Sequence, residues 1–303
     1  MRSAKGAPRA PVRRRAETKV ISAARRVRGA TVVPTSNAAT KSAAPEPLKT
    51  ATVIDEDHPT GPFVHAECRV LLCGTFPPVK RSIRFYYPNA NNDMWKVLGL
   101  VLCGDANAFY TSAACTASLP PNVSKPSGGR APTRALDEAR ILSFVRSQAV
   151  GFFDVCRRVR RHRGTSADDN IEALERMDVV RDVLSHAPYC AGIITTGTLA
   201  LKMLLDDLAA HGTFRASGGE PVEAVLTTRQ GRRQYNLPPI GGKLNWIPCE
   251  TCAFRSTLSI HRGPSTSRAL PLKLEDKTRH YRRAFAEHLT LPLASVLAPV
   301  THA

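Results

Sequence analysis

Four short apolar runs, each ended by glycine or a polar turn and separated from the next by helix-forming residues, constrain this chain more than any other feature. They are "CRVLLCG" (68–74), "AVGFFDVC" (149–156), "CAGIITTG" (190–197) and "FRSTLSI" (254–260). Runs of this length without sustained apolar–polar alternation read as strands buried on both faces. Between and after them, residues 93–103, 135–148, 167–187, 198–212 and 274–289 read as helices. Strands alternating with helices predict an α/β fold, a three-layer α/β/α arrangement around a central, mainly parallel four-stranded sheet. In such sheets ligands bind beyond the carboxyl ends of the strands. Those ends are "GTFPP", the Asp154 segment, "TTGT" and "HRGPSTS".

The flanks differ in composition. Of the formal charge of +18, residues 1–30 supply ten Arg or Lys against the single acid Glu17, a net +9. Residues 1–60 are Ala/Arg/Ser/Pro/Thr-rich without a core pattern, so a disordered basic tail is expected there, followed by one folded domain over 61–303. An acid-poor leader with Arg13-Arg14-Arg15 and Arg25-Arg26 suits a mitochondrial transit segment, nuclear import or non-specific DNA contact. Residues 111–134, small, polar and rich in Pro and Gly, read as a flexible surface insertion. The remaining +9 on the folded part favours a polyanionic partner. Eight scattered cysteines without a secretory core segment suggest a reduced intracellular setting. No apolar run approaches the roughly 20 residues of a membrane span.

Several common chemistries lack their signatures: there is no GxxxxGK[ST], GxGxxG, HExxH or GxSxG. "CETC" (Cys249, Cys252) has the spacing of a metal knuckle, but no second CxxC completes a four-ligand set, so ordinary thiols are expected. What remains is "GTFPP" (74–78), "YYPNANNDMW" (86–95), "GFFDVCRRVRRHRGTSADDNI" (151–171) and "GPSTSRALP" (263–271). Taken in order, these resemble the uracil-DNA glycosylase superfamily, and the central spacing is similar to its mismatch-specific and hypoxanthine-DNA glycosylase branches. The resemblance spans about residues 66–290 apart from the insertion.

The resemblance implies an enzyme that flips a deaminated base, uracil or hypoxanthine, out of duplex DNA. It would hydrolyse the N-glycosidic bond in base-excision repair without metal or other cofactor, as a monomer acting on double-stranded DNA. Tyr87 takes the stacking position, with Gly74, Thr75 and Phe76 completing the base-binding wall. Asn92 takes the place of a site asparagine, and an amide can donate and accept at once; its alternative is to cap the helix that follows. Asp93 either orients water or complements the first helical turn. Pro264, Ser265, Thr266 and Ser267 would approach a phosphate, and Arg268 would fill the space left by the flipped base or hold the strand. Two departures stand out: Phe76 occupies a position that many relatives make polar, and Gly263 replaces the histidine of the uracil-specific branch. Both leave open a catalytically silent DNA-binding relative. The clusters "RRVRRHR" (157–163) and "KTRHYRR" (277–283) either attract phosphate or form solvated helix faces.

Overall fold

The computed structural model describes residues 53–111, 135–163 and 165–291. The expected tail up to residue 52 and nearly all of the expected insertion lie outside these residues. The first of the four apolar runs supplies β2 (Val70–Gly74), which is buried throughout. It pairs in parallel with β3 (Val150–Asp154) on one side and β6 (Gly192–Thr195) on the other, and β6 pairs in parallel with β12 (Leu258–Arg262). Side chains of a strand alternate between faces. Leu71 and Cys73 therefore join one core cluster and Val70 and Leu72 the other.

The first cluster is covered by α3 (Val179–Asp182) and α4 (Thr198–Ala209), through residues such as Val180, Leu201 and Leu205. The second is covered by α1 (Met94–Leu98), α2 (Glu138–Ser147) and α5 (Leu274–Ala286), through Trp95, Ile141 and Phe285. Helices thus lie on both faces of the sheet. A wide π-type turn over Gly99–Cys103 prolongs α1, and Gly104, at φ 75°, ends it in the left-handed region that glycine enters without strain.

The sheet itself corrects the expectation of four strands. It has seven, in the order β3-β2-β6-β12-β11-β7-β8, with β11 (Lys243–Pro248), β7 (Gly212–Arg215) and β8 (Pro221–Val222) added antiparallel beyond β12. β11 has Leu244 and Trp246 facing inward between half-buried neighbours, a period-2 pattern that the Gly/Pro-rich flanks obscure. β9 (Val225–Thr227) and β10 (Arg233–Tyr235) form a separate hairpin. β12 also begins later than the apolar run suggested and extends to Arg262, so His261 belongs to a strand.

A second correction concerns both the tail boundary and the stretch 167–187. Residues Ile54–Asp57, inside the expected tail, form β1. β1 pairs antiparallel with β4 (Cys156–Arg161), and β4 pairs with β5 (Ile171–Arg176), where a helix was expected. Only the short helical turns 168–170, 179–182 and 184–186 remain helical. The reason is pairing: Ile171 and Ala173 face the core while Glu172 faces out, so the strand register outweighs the helix propensity of Glu, Ala, Leu and Arg.

Charge makes this sheet self-complementary. Acidic β1, "IDED", lies against the basic β4. Arg160 reaches Asp55 at 2.8 Å, Arg161 reaches Glu56 at 3.1 Å, Arg158 lies 3.7 Å from Asp57, and Arg157 pairs with Asp182 at 2.6 Å. The cluster "RRVRRHR" is therefore not a helix face but β4 and the turn after it, with Arg157, Arg158, Arg160 and Arg161 in ion pairs. Among the described residues, no helix is long and apolar enough to cross a membrane.

Candidate active site

The carboxyl ends of β2, β3 and β6 and the loop after β12 converge on a cavity of about 370 Å³. Its lining includes Gly74, Thr75, Phe76, Tyr87, Asn92, Asp154, Asp168, Thr196 and residues 265–268. Sequence motifs as far apart as Gly74 and Arg268 thus meet where open α/β sheets bind ligands.

Tyr87 forms one wall. Its backbone sits at φ 50°, the sole non-glycine residue with positive φ among those described. For a bulky side chain this conformation costs on the order of 1–3 kcal/mol and persists only where surroundings enforce it. They do: the Trp95 indole N–H, within the buried helix α1, donates to the carbonyl oxygens of both Tyr86 and Tyr87 at 3.2 Å. The Tyr87 hydroxyl donates to Thr196 Oγ1 at 3.1 Å. Burial first, and the Asp154 charge second, push the Tyr87 phenol well above its usual value, so it stays protonated as that donor. Phe76 lies across the sequence from it in the same cavity, with the Arg161 guanidinium 5.4 Å from its ring centroid.

Asn92 lines the cavity, and the N-cap of α1 is its neighbour Asp93. The Asn92 Oδ1 accepts from the Met94 N–H at 2.9 Å, a turn bond that fixes the orientation of the amide at the start of α1. The Nδ2 group is not required for that bond, which leaves a donor on a residue that lines the cavity. Asn89 shapes the preceding turn by accepting from Asn91 N–H at 2.9 Å.

Asp93, expected as a second catalytic residue, does not line the cavity. Its Oδ2 accepts from Lys277 Nζ at 2.9 Å, and Lys96 lies 3.5 Å from Oδ1. Lys277 is 1% exposed and also donates to the Ser267 carbonyl at 3.0 Å. With the Asp93 N–H donating to the Thr266 carbonyl at 3.0 Å, this carboxylate binds α1, α5 and the loop after β12 into one unit. The cluster "KTRHYRR" is correspondingly structural in part: Lys277 and Tyr281 are buried, and Arg279 pairs with Asp276.

The loop after β12 divides. Ser265, Thr266, Ser267 and Arg268 line the cavity, whereas Pro264 is buried outside it, its carbonyl accepting from the Tyr281 hydroxyl at 3.0 Å. Ser265 Oγ accepts from Ser267 N–H and Ser267 Oγ from Ala269 N–H, each at 3.2 Å, which winds the loop tightly. Arg268 is exposed.

Asp154, which the sequence marked only as a strand end, is one of two carboxylates that the fold places in the cavity, and the buried one. It is 5% exposed, at the last position of β3. His58 Nε2, from the segment after β1, donates to its Oδ2 at 2.9 Å, and both side chains are 7% exposed. Gly74 makes the room: a Cβ there would lie 2.2 Å from Asp154 Oδ1. Asp168 lines the same cavity. Although its side chain reaches solvent, the protein around it raises its carboxyl, burial acting first and neighbouring Asp169 second.

Arg161 holds the wall opposite. Fully buried, it donates to Glu56, to the Thr165 carbonyl at 3.0 Å and to the Pro77 carbonyl. The signal for it was its inward register in β4, two residues after Val159. Gly74→Ala, by forcing the Asp154 carboxylate aside, is expected to destabilise the fold by about 1–3 kcal/mol. Denaturant unfolding of the variant beside the parent tests this.

No family model matches the chain, and no curated protein does. Among solved structures, the chain is similar to a solution NMR structure from Methanosarcina acetivorans that carries the provisional name uracil DNA glycosylase, at 15% identity, over 77% of this chain and 98% of that one, with a TM-score of 0.42.

Proposed function

We propose that this chain is a monofunctional DNA glycosylase that hydrolyses the N-glycosidic bond of a deaminated base, uracil or hypoxanthine, flipped from duplex DNA. The observation that carries the reading is the meeting, in one cavity, of an aromatic wall, an amide donor oriented by the Met94 N–H and a buried carboxylate. A deaminated base presents a carbonyl beside a ring N–H. Asn92 Nδ2–H suits the carbonyl, and the rings of Tyr87 and Phe76 suit the base faces, where stacking is worth roughly 1–3 kcal/mol.

Departure of the base leaves positive charge on the sugar, and water then adds to C1′. Asp154 supplies what the apolar Phe76 does not: a carboxylate to stabilise that charge and to accept a proton from the attacking water. The bond from C1′ to the base nitrogen breaks with its electron pair leaving on the base. The Asn92 donor stabilises the negative charge that develops on the base carbonyl. Arg268 and the Ser265–Ser267 segment would meet the phosphates beside the flipped nucleotide. No step requires a metal or other cofactor. The partner is double-stranded DNA carrying a mispaired or deaminated base, with the chain acting as a monomer in base-excision repair. The basic composition of residues 1–30 supports a nuclear or mitochondrial setting as part of this proposal.

The test is direct. Purified protein is incubated with duplexes carrying one uracil, hypoxanthine or thymine mispair, and abasic sites are then cleaved with alkali. A strand break on uracil or hypoxanthine supports the reading; no break on any substrate overturns it. Tight, salt-sensitive binding to the mispaired duplex without a break would instead favour a silent DNA-binding relative, the reading to which apolar Phe76 points. Asn92→Ala is expected to lower base release about 10²-fold or more while changing duplex affinity only a few fold, measured by single-turnover kinetics beside equilibrium binding.

A further inference from the structure

A second cluster of chemically capable side chains lies outside the cavity, where β12 meets the turn that follows α5. His261 is buried in β12, and His288 stands two residues beyond the end of α5. Their Nε2 atoms face one another at 2.9 Å, with the rings at 77°. A Glu287 carboxylate oxygen is 3.9 Å from His261 Nε2. One ligand atom from each of the three side chains lies within 4.8 Å of the other two.

From this geometry we propose a binding site for a divalent transition-metal ion of the zinc class, held by His261 Nε2, His288 Nε2 and a Glu287 carboxylate oxygen. Two imidazoles and one carboxylate form a donor set that zinc accepts, with a fourth position open to water.

Three features support it. First, the fold makes room for the pair: Gly192 on β6 would carry a Cβ 2.4 Å from His288 Nε2, so any side chain there would evict the imidazole. Second, the register of β12 fixes one of the two imidazoles, with His261 opposite Ile194 of β6 on one side and Lys243 of β11 on the other. Third, zinc–nitrogen bonds of about 2.0–2.1 Å at tetrahedral angles need nitrogens roughly 3.3–3.4 Å apart, so the rings need part by only about half an ångström. On binding, the proton shared between the two Nε2 atoms moves to Nδ1 of its own ring, with no change in charge on the pair. Lys243, which now contacts Glu287 and is 26% exposed, can turn to solvent or keep the second carboxylate oxygen. Such an ion would pin the end of α5 to β12, one strand residue before the loop at 263–268.

The experiment uses the full chain, freed of metal by a chelator and titrated with Co²⁺ and then Zn²⁺. One equivalent of Co²⁺ should give visible ligand-field absorption that Zn²⁺ abolishes. Zinc at a hundredfold excess over Kd should raise Tm by about 5–10 °C. His288→Ala or Glu287→Gln, the latter at a residue too exposed to threaten folding, should weaken uptake tenfold or more. The double variant Cys249→Ser/Cys252→Ser should leave it unchanged. Absence of saturable uptake overturns the proposal, as does uptake that survives both His288→Ala and Glu287→Gln or that vanishes with the two cysteines. Base-release activity does not enter the readout, so this proposal and the glycosylase reading fail independently.

Discussion

Replacing Asp154 with Asn should reduce base release by about 10²–10³-fold while leaving duplex affinity within a few fold. The substitution keeps the shape and the hydrogen bond from His58 Nε2 but removes the charge. That charge is strongly felt, because both it and His58 are almost withdrawn from solvent. It raises the phenols of Tyr86 and Tyr87 and the thiols of Cys73 and Cys156, in each case after burial itself. A buried carboxylate that disfavours ionisation of its acidic neighbours in this way can stabilise a cationic sugar at short range, where little water screens it. Binding should be nearly indifferent, since phosphates would be met by exposed residues such as Arg268 at the rim. His58→Gln serves as a companion: as a positioning residue its loss should lower kcat while KM stays constant, and less severely than Asp154→Asn. Wild-type turnover in Asp154→Asn would show that the carboxylate has no part in the chemistry.

Legibility in the sequence followed the range of the interactions involved. β2, β3 and β6 were readable because a doubly covered strand must be apolar at every position, and "VLLCG" is buried at every position. α1, α4 and α5 were readable from apolar spacing. The antiparallel strands β11, β7 and β8 were not, since each is half-exposed and defined by its partner. β1 was hidden for the opposite reason: "IDED" carries no core pattern and earns its structure from the arginines of β4, a hundred residues on. The only trace was acids ending an otherwise acid-poor leader. With β1 came His58 and Glu56, and through them the placement of Asp154 and Arg161. Motif reading picked out Tyr87, Asn92 and the 265–268 loop, which do line the cavity, but it left Asp93 between a water-orienting role and a place in the first helical turn. Whether a carboxylate meets a cavity or a lysine 184 residues away depends on tertiary packing alone.

Asp93→Asn separates those roles. If Asp93 took part in catalysis, the variant would keep its melting temperature and lose turnover. The ion pair predicts the reverse. Lys277 is buried with the Asp93 carboxylate and the Ser267 carbonyl as its partners. Removing the counter-charge leaves an uncompensated ammonium, at a cost of about 3–5 kcal/mol. For a folded unit of this size that corresponds to a fall in Tm of roughly 6–20 °C. Lys277→Ala should cost a similar amount by stranding the carboxylate instead. Lys277→Met with Asp93→Leu, which removes both charges and restores apolar volume, should recover most of the loss, because a buried pair seldom outweighs well-packed hydrophobic replacements. Since the pair also fixes the loop through Ser267, each single variant should show somewhat weaker DNA binding at temperatures well below its Tm, with base release per bound duplex close to that of the parent. Calorimetry and single-turnover kinetics on the same samples measure both. A stable but inactive Asp93→Asn would return this residue to the catalytic site.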